Sequence, residues 1–546
     1  MAIALLGSMI VLGPLKASAT SFSSAQQVPT STNSLPIWPS VAQDAKGRIW
    51  LTYANKTLGS LFNPEIFFKT WNGITWSNPQ RVINDPVDDD ETPYVASLAN
   101  GSMMITWSSN RTGNNVYQLF YRLYSGNTTK PSPTTSVIRL TTGTLNDTQP
   151  SVAQDRNGRI WITWSRQNVS SSASGAVFYS SIYYKYFNGT SWSPDFPLPE
   201  ASNVIVAGRH QIENMPFIAQ TKDGRIWIAW ASNETYGTPN LYYKTTDGTL
   251  YTLPSGGIAT GSWTKRATLC CNDTSASNDH PAILQARNGT IMVFWEKCAG
   301  ANCLNNIYLQ TSLDNGMTWT PQAAVPAAST TADERFPVAA QMSDKKIWLF
   351  WQTEGLIQTQ LWYSTSDPIT NVHDVGIRGL VATPSFVRSG VQWDNSGSTN
   401  VTVTVRNYGD YVENTTLTVK LNSTVLTSTP VINLAVNETR TIRFSSQTTL
   451  GFWGRYTVTA ALQPVPNENT INQGDNLWSG GPVRVSPPGD VDLNGCVNII
   501  DAALLAYSYG TKPGMPLWNP SADIDHSGAI DIIDAAWLAQ YYGDCV

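Results

Sequence analysis

The sequence predicts a mainly β protein whose largest part is a six-bladed β-propeller. The first indication is a frame of fixed spacing, in which a proline is followed by a glycine after eight residues and by an aromatic residue after fourteen. The copies are Pro39-Gly47-Tyr53, Pro93-Gly101-Trp107, Pro150-Gly158-Trp164, Pro216-Gly224-Trp230, Pro281-Gly289-Trp295 and Pro337-Lys345-Trp351. The second indication is that successive prolines lie 54, 57, 66, 65 and 56 residues apart. Such a combination is typical of one rigid element repeated, with insertions in its loops.

Composition agrees with this fold class. The 546 residues are 41% hydrophobic, 11% aromatic and only 13% charged, which suits a multidomain β protein that buries several cores. The formal net charge is -5 and no basic run accompanies it. We therefore expect no nucleic-acid partner.

Each copy of the frame predicts four strands. In the third copy the residues after Pro150 form the first strand, Asn157-Gly158 forms a hairpin turn, and residues 160–164 form the second strand. Residues 182–187 form a third strand. The turn at residues 188–194 then leads to the fourth strand.

The sixth copy lacks a fourth-strand motif after its third strand at residues 361–365. An unpaired edge there is a liability, so another segment should cover it. Phe22 precedes Pro39 by 17 residues, as Trp76 precedes Pro93 by 17. We expect residues 20–30 to supply the outer strand of blade six, which makes residues 20–368 the propeller.

One turn carries a family resemblance. The run Ser312-Leu313-Asp314-Asn315-Gly316-Met317-Thr318-Trp319 resembles the Asp-box of sialidase-like (BNR) repeats, Ser-x-Asp-x-Gly-x-Thr-Trp. The resemblance implies a sialidase-like propeller, with glycoside hydrolysis as a possible activity. The sialidase arginine motif Phe-Arg-Ile-Pro is absent, because blade one has Leu35-Pro36-Ile37-Trp38-Pro39 in its place.

The N-terminus predicts export. Residues 2–15 form an apolar run that ends near Ala17-Ser18-Ala19, a small-residue cleavage pattern, so residues 1–19 are expected to be a signal peptide. An uncleaved anchor or an upstream start is the alternative, because the charged n-region is missing. We expect no transmembrane span after residue 19 and an extracellular or cell-surface location.

Cysteines and glycosylation sequons also suit an extracellular protein. Cys496 and Cys545 are expected to pair. The remaining cysteines are Cys270, Cys271, Cys298 and Cys303, for which disulfides are favoured over zinc because adjacent cysteines are poor tetrahedral ligands. Thirteen Asn-x-Ser/Thr sequons lie between Asn55 and Asn437.

Residues 369–486 predict a β-sandwich. Apolar residues alternate with polar ones at Val401, Val403 and Val405, and similar alternation recurs over residues 417–421 and 456–462. The runs Asp374-Val375-Gly376-Ile377 and Val403-Thr404-Val405-Arg406-Asn407-Tyr408-Gly409 resemble the adhesion-related CARDB family. The resemblance implies a spacer or adhesion role.

Residues 490–501 and 523–534 predict two calcium loops. Oxygen ligands fall at positions 1, 3, 5, 9 and 12, glycine at position 6 permits the sharp turn, and position 7 offers its carbonyl. The expected ligands are Asp490, Asp492, Asn494, the Cys496 carbonyl, Asn498 and Asp501 in the first loop, and Asp523, Asp525, Ser527, the Ala529 carbonyl, Asp531 and Asp534 in the second. The cofactor is therefore expected to be two Ca²⁺ ions.

Each loop runs into an apolar helix, predicted at residues 502–510 and 535–543. Residues 487–546 resemble a type I dockerin, which implies a cohesin-bearing partner and two possible docking orientations. Loop positions ten and eleven, which often contact cohesin in dockerins, are Ile499-Ile500 and Ile532-Ile533. We expect one isoleucine of each pair to lie in the core and leave the other open.

The propeller funnel, where the first strands begin, is the expected ligand site. Acidic residues recur three positions before the repeat prolines, and paired carboxylates are what glycoside hydrolysis needs. The catalytic candidates are Asp147, Glu213, Asp90 and Glu334, and the ligand-binding candidates are Arg209, His210, Asp279, His280 and Arg335. The alternative is that these entry loops are polar because water fills the funnel. Two functions stay open: recognition of a glycan or protein, or hydrolysis of a polysaccharide or glycoconjugate.

Overall fold

A computed structural model of the chain describes most of its residues. The described ranges are 20–31, 34–57, 63–83, 88–113, 115–172, 175–201, 212–233, 238–246, 263–269, 276–299, 303–355, 358–383, 386–388, 399–446 and 453–546. The expected signal peptide and the candidates Arg209, His210, Cys270 and Cys271 lie outside them. The chain divides near residue 369 into two compact units, which are described separately.

The first unit is built from six four-stranded antiparallel sheets, which are the blades of a propeller. Its strands in chain order are β1 (Gln26–Gln27), β2 (Ser34–Gln43), β3 (Ile49–Thr57), β4 (Glu65–Trp71), β5 (Gln80–Arg81), β6 (Asp90–Ser97), β7 (Ser102–Ser109), β8 (Gln118–Ser125), β9 (Ile138–Arg139), β10 (Asp147–Gln154), β11 (Ile160–Ser172), β12 (Gly175–Phe187), β13 (Phe196–Pro197), β14 (Glu213–Gln220), β15 (Ile226–Ser232), β16 (Asn240–Thr245), β17 (Ala267–Thr268), β18 (Ala276–Gln285), β19 (Ile291–Ala299), β20 (Asn306–Ser312), β21 (Ala323–Ala324), β22 (Asp333–Gln341), β23 (Ile347–Glu354) and β24 (Thr359–Thr365). Blades one to five take β2–β5, β6–β9, β10–β13, β14–β17 and β18–β21 in turn. The predicted fold class is confirmed.

Blade six is completed by the N-terminal strand. Its sheet has the order β1-β24-β23-β22, with Gln26 opposite Tyr363 and Gln27 opposite Trp362. Val28 donates its backbone N–H to the Leu361 carbonyl at 2.8 Å, and its side chain is fully buried. The edge of β24 is therefore covered by a segment from the other end of the unit.

The proline and the aromatic residue of the frame meet at a β-bulge. In blade three Thr148 lies opposite Ser165 and Ser151 opposite Thr163, so the pair Gln149-Pro150 faces the single residue Trp164. The other five blades have the same register shift at the same position. A bulge leaves one residue unpaired, so a proline without an N–H costs no ladder hydrogen bond there. The spacing of fourteen residues is thus the distance from the bulge to its partner.

The glycine of the frame occupies the left-handed turn between the first two strands. Gly47 has φ +81°, and Lys345, which breaks the pattern in blade six, has φ +68°. Aspartates hold this turn in blades one, three and six, namely Asp44, Asp155 and Asp344. Asp155, for example, accepts hydrogen bonds from the Arg159 N–H at 2.9 Å and from the Trp161 indole at 2.9 Å.

The Asp-box lies in the connection between β20 and β21, on the outer strands of blade five. Asp314 accepts from the Ser312 hydroxyl at 2.8 Å and from the Thr318 N–H at 2.8 Å. Trp319 packs edge-on against Trp227 of blade four, with ring centroids 6.5 Å apart. The motif therefore has a structural role between neighbouring blades.

The second unit contains two packed sheets and a C-terminal module. Its strands and α-helices are β25 (Val375–Thr383), β26 (Phe386–Arg388), β27 (Thr399–Asn407), β28 (Glu413–Leu421), β29 (Thr424–Leu434), β30 (Thr439–Ser446), β31 (Gly454–Leu462), β32 (Leu477–Ser486), α1 (Ile499–Ser508) and α2 (Ile532–Gln540). The sheets have the orders β25-β27-β30 and β26-β32-β31-β28-β29. Val403 of one sheet and Val419 of the other belong to one buried core, so the predicted sandwich packs face to face.

The two helices begin three residues earlier than predicted. Asn498 caps α1 and Asp531 caps α2, and each cap forms a capping box with the last acidic residue of its loop, Asp501 or Asp534. The final three residues of each loop are therefore helical, because the cap satisfies the free N–H groups of the first turn.

Candidate functional site

Residues of all six blades line a central cavity of about 100 Å³. Its wall contains the six repeat prolines and the residues beside them in sequence. This cavity is the floor of the predicted funnel. A concave pocket with apolar walls and a few polar groups is the ordinary form of a ligand site.

The bulges aim side chains into this cavity. The residue before each proline has a positive φ between +48° and +59° and lines the cavity; the six are Trp38, Thr92, Gln149, Met215, His280 and Phe336. Non-glycine residues keep this conformation only where the surrounding structure enforces it. The side chains directly before the prolines, and not those three positions before, therefore face the cavity.

The predicted catalytic carboxylates lie elsewhere. Asp90, Asp147 and Glu213 are buried, and each accepts a hydrogen bond from the indole of the tryptophan seventeen residues later in its own blade. Asp147 also accepts two bonds from Arg166, at 2.6 and 2.8 Å. In a regular strand, side chains two positions apart face the same side. The bulge interrupts this alternation, so the carboxylates three positions before the prolines do not point the same way as the side chains directly before the prolines. The expectation that these carboxylates face the funnel is wrong, and their catalytic role stays a prediction.

Glu334 is also buried but has different partners. Its Oε1 accepts from the Thr330 hydroxyl and, at 3.2 Å, from the Thr330 N–H. Its Oε2 is buried and has no hydrogen-bond partner among the described residues. Burial raises the pKa of Glu334 above its usual range, although the bonds from Thr330 act in the opposite direction.

Three predicted ligand-binding residues, Asp279, His280 and Arg335, do come together on blades five and six. His280 Nδ1 lies 3.6 Å from Asp279 Oδ1 and 3.0 Å from Glu296 Oε1. Asp279 and Glu296 are opposite residues of the β18–β19 pair, and His280 occupies the bulge beside them. We call Asp279, His280 and Glu296 the blade-five triad.

Arg335 of blade six borders the triad. Its Nε lies 3.8 Å from Glu296 Oε1 and 3.6 Å from Asp333 Oδ2, and its Nη1 donates to Glu354 Oε2 at 3.3 Å. Among the described residues, three carboxylates therefore lie within ion-pair distance of this one guanidinium. The surplus of negative charge favours cations and hydrogen-bond donors in a ligand.

The members of the triad shift one another's pKa values. Burial lowers the pKa of His280, but the charges of Glu296 and Asp279 outweigh it, so the pKa of His280 is raised. Burial raises the pKa of Asp279, and the neighbouring charge of Glu296 adds to the effect. Burial also acts to raise the pKa of Glu296, yet His280 and the Phe336 N–H stabilise its charged form, and its pKa is lowered.

Glu296 is the member of the triad that was not among the residues predicted from the sequence. It directly follows Trp295 in the frame, where the other blades have Ala54, Ser108, Ser165, Ala231 and Gln352. The register places this position opposite the second residue before the proline. The signal in the sequence is therefore one acidic residue at a position where the other blades have small or amide side chains.

The C-terminal module contains the two predicted loops in closed form. Asp490 accepts from the Asn494 N–H at 3.1 Å and the Gly495 N–H at 3.0 Å, and Asp523 accepts from the Gly528 N–H at 3.0 Å. Asp490, Asp492 and Asp501 bring carboxylate oxygens within 4.8 Å of one another, and Asp523, Asp525 and Asp534 do the same.

The loops fit a calcium ion. Asp523 Oδ1 is buried without a hydrogen-bond partner among the described residues. Burial, reinforced by the charges of Asp501 and Asp492, raises the pKa of Asp490 to about 6. Carboxylates held together at this cost are typical of a cation site, and oxygen donors suit calcium.

Residues 488–542 match the dockerin type I domain family. The C-terminal module is a type I dockerin. Dockerins of this type bind calcium and dock to a cohesin domain on another protein, so the match implies a cohesin-bearing partner. Its disulfide joins Cys496 to Cys545, as predicted, and a second disulfide joins Cys298 to Cys303 in blade five.

The dockerin corrects one expectation about its surface. Both isoleucines of each pair are exposed, namely Ile499 (69%), Ile500 (53%), Ile532 (68%) and Ile533 (51%). The core is formed instead by residues such as Val497, Leu505, Ile530 and Leu538. Each pair occupies the first turn of its helix, where the capping box turns it outward.

Several solved structures are similar to part of this chain. A protein of unknown function from Dyadobacter fermentans has 11% identity and a TM-score of 0.49, over 64% of this chain and 99% of that one. An α-L-arabinanase of Penicillium chrysogenum complexed with arabinobiose has 14% identity and a TM-score of 0.42, over 63% and 96%. A GH93 α-L-arabinofuranosidase of Fusarium graminearum has 12% identity and a TM-score of 0.44, over 63% and 97%. Similarity at this level does not indicate function.

No curated protein matches the chain significantly. Among the residues that the structure describes, no helix has the length and apolar character needed to cross a membrane.

Proposed function

We propose that the protein is an extracellular component in which the propeller funnel binds a glycan and the dockerin attaches it to a cohesin-bearing partner. The observation that carries the proposal is the arrangement of the funnel. Thr92, Gln149 and His280 supply polar groups to the wall of a cavity that Trp38 and Phe336 border with aromatic rings. The charged residues Asp279 and Arg335 directly precede His280 and Phe336 in the chain. Glycans combine hydroxyl groups with apolar ring faces, and both find partners here.

The sandwich has a subordinate place in this proposal. By its resemblance to the CARDB family, we assign it a spacer or adhesion role between the propeller and the dockerin. The disulfides and the dockerin support secretion. The N-terminal signal peptide and its cleavage after Ala19 stay part of the proposal.

The test is a glycan-binding panel that includes sialosides and arabinans. We expect the full chain to retain at least one glycan, and Asp279→Asn or Arg335→Gln to weaken that binding at least tenfold. Glu438→Gln, which changes an exposed carboxylate of the sandwich, should bind like the wild type. Failure of every glycan on the panel, or equal binding by all variants, would contradict a glycan site in the funnel.

A second candidate is glycoside hydrolysis, favoured by the spacing of Asp279 and Glu296. A carboxylate oxygen of Asp279 and one of Glu296 lie within 4.8 Å of each other, so two carboxylates share one site, as glycoside hydrolysis requires. The variants Asp147→Asn and Glu213→Gln, which replace the earlier candidates by amides, are tested in the same assay. Loss of turnover by orders of magnitude in one pair would identify the catalytic carboxylates. A glycan that is bound tightly and never converted would end this candidate.

A further inference from the structure

The blade-five triad has the composition of a transition-metal site. It offers one imidazole nitrogen and two carboxylate oxygens, and these three atoms lie within 4.8 Å of one another. Imidazole is a ligand for zinc, copper, iron and nickel, whereas calcium and magnesium prefer oxygen donors only. The triad therefore differs in kind from the two loops of the dockerin.

The distances between the donor atoms agree with a shared ion. Zinc binds imidazole nitrogen and carboxylate oxygen at about 2.0–2.2 Å, so two donors of one tetrahedral ion lie roughly 3.4 Å apart. His280 Nδ1 lies 3.0 Å from Glu296 Oε1 and 3.6 Å from Asp279 Oδ1. Both separations are within a few tenths of an ångström of that value, and the carboxylate oxygens of Asp279 and Glu296 lie within 4.8 Å of each other.

The imidazole itself lacks hydrogen bonds. Both ring nitrogens of His280 are buried, and neither has a partner in hydrogen-bond geometry among the described residues. Nδ1 has an ion-pair contact with Glu296 Oε1 at 3.0 Å that does not meet hydrogen-bond geometry. Buried polar atoms without partners are rare in folded proteins, and a bound ion is one of their ordinary explanations.

The structure holds the triad independently of any ion. Glu296 Oε2 accepts the Phe336 N–H at 2.8 Å, and Asp279 Oδ1 accepts the His280 N–H at 2.9 Å. In blade six, Gln352 occupies the position of Glu296 and accepts the Trp38 N–H at 2.8 Å. An amide thus accepts the equivalent hydrogen bond in the next blade, so this bond does not require the negative charge of Glu296.

We propose that Asp279, His280 and Glu296 bind a divalent transition-metal ion of the zinc class at the wall of the funnel. The surplus of carboxylates around Arg335 adds long-range attraction for the cation. The side chain of Asp279 is 20% exposed, so the site is open to solvent on its side. This inference goes beyond glycan binding and is tested without a glycan.

The experiment titrates the full chain with zinc alone while calcium saturates the dockerin loops. We expect one zinc ion per chain by isothermal titration calorimetry, confirmed by equilibrium dialysis. Glu296→Gln, Asp279→Asn and His280→Asn should each weaken zinc binding at least tenfold. Asparagine suits position 280 because it tolerates a positive φ. Asp314→Asn, an acid-to-amide change on the outer strands of the same blade, should bind zinc like the wild type.

Two results would overturn the proposal. One is wild-type protein that takes up no zinc, or whose zinc binding is the same in all three triad variants. The other is a cobalt(II)-substituted protein with the intense near-ultraviolet band of a thiolate ligand, which would assign the ion to cysteine. Melting curves show whether a variant is folded, and three independent variants keep the test decisive if one of them is not.

The outcome is separable from the proposed function. Zinc binding without glycan binding would support the metal site and contradict the glycan site. Glycan binding without zinc binding would support the glycan site and contradict the metal site. Zinc that inhibits turnover by a hydrolytic wild type would show that the ion and the second candidate function compete for the same carboxylates.

Discussion

Glu296 and Gln352 occupy the same position in neighbouring blades, and each accepts a hydrogen bond from the amide N–H of a bulge in the next blade. Glu296 accepts from Phe336 and Gln352 from Trp38, both at 2.8 Å. These bonds join blade five to blade six and blade six to blade one. The position therefore has a structural role that an amide fulfils, and blade five adds a charge to it.

Replacing Glu296 separates that structural role from its charge. Glu296→Gln should melt within about 2 °C of the wild type, because the amide oxygen still accepts from Phe336. Glu296→Ala should lose about 1–3 kcal/mol, because a buried N–H loses its acceptor. Differential scanning calorimetry checks both. Equal destabilisation by the two variants would show that the charge itself stabilises the ring.

Glu334→Gln should make the propeller more stable at neutral pH. Burial raises the pKa of Glu334 in the folded state above its ordinary 4.5. Stability from this group is therefore fully present below that ordinary value and is lost as pH rises through the folded pKa. We expect the variant to melt about 2 °C higher than the wild type at pH 7, with the difference vanishing near pH 4. A variant that melts lower at both pH values would contradict this assignment.

The N-terminal strand should be essential to the propeller. Deleting residues 20–31 exposes the edge of β24, so limited proteolysis should cut within residues 337–368 first. Val28→Asp should reproduce much of this loss, because Val28 packs in the core formed with Leu361 and Phe350. Gln27→Asp, on an exposed neighbour, is the control. Melting of the truncated protein at the wild-type temperature would disprove the closure.

The dockerin should bind two calcium ions, one in each loop. Asp490→Ala and Asp523→Ala should each remove one ion by equilibrium dialysis, and the double variant should remove both. The melting transition of the module should rise with calcium and fall with chelator in the wild type only. Asp544→Asn, an acid outside both loops, should change neither. A transition unaffected by chelator would contradict the calcium assignment.

The exposed isoleucine pairs should mediate docking. Replacing Ile499 and Ile500 by aspartate should leave cohesin binding through the second copy, and replacing Ile532 and Ile533 should leave it through the first. All four changes together should reduce binding at least a hundredfold in calorimetric titrations against type I cohesins. Leu517→Asp, on another exposed apolar residue of the module, is the control. Wild-type affinity in the fourfold variant would place the interface elsewhere.

The funnel shows why the sequence predicted the strands that line it but not which of their side chains line the cavity. The residue three positions before the repeat proline is acidic in several blades. In a regular strand, this residue and the one directly before the proline would face the same side of the sheet. The bulge before each proline inserts one residue and changes which side chains face the axis. Asp147 therefore meets the Trp164 indole at 2.8 Å, while Gln149 lines the cavity.

The sequence by itself determined the repeat, the number of blades, the sandwich and the calcium loops. Each of these rests on local spacing, which a strand pair or a metal loop imposes directly on neighbouring residues. Only the tertiary structure decided which residues share a site. Asp279 and Glu296 are seventeen residues apart and meet through strand register, and Arg335 reaches them from the next blade. Contacts of this kind depend on how the blades close into a ring, and no periodicity in the chain records them.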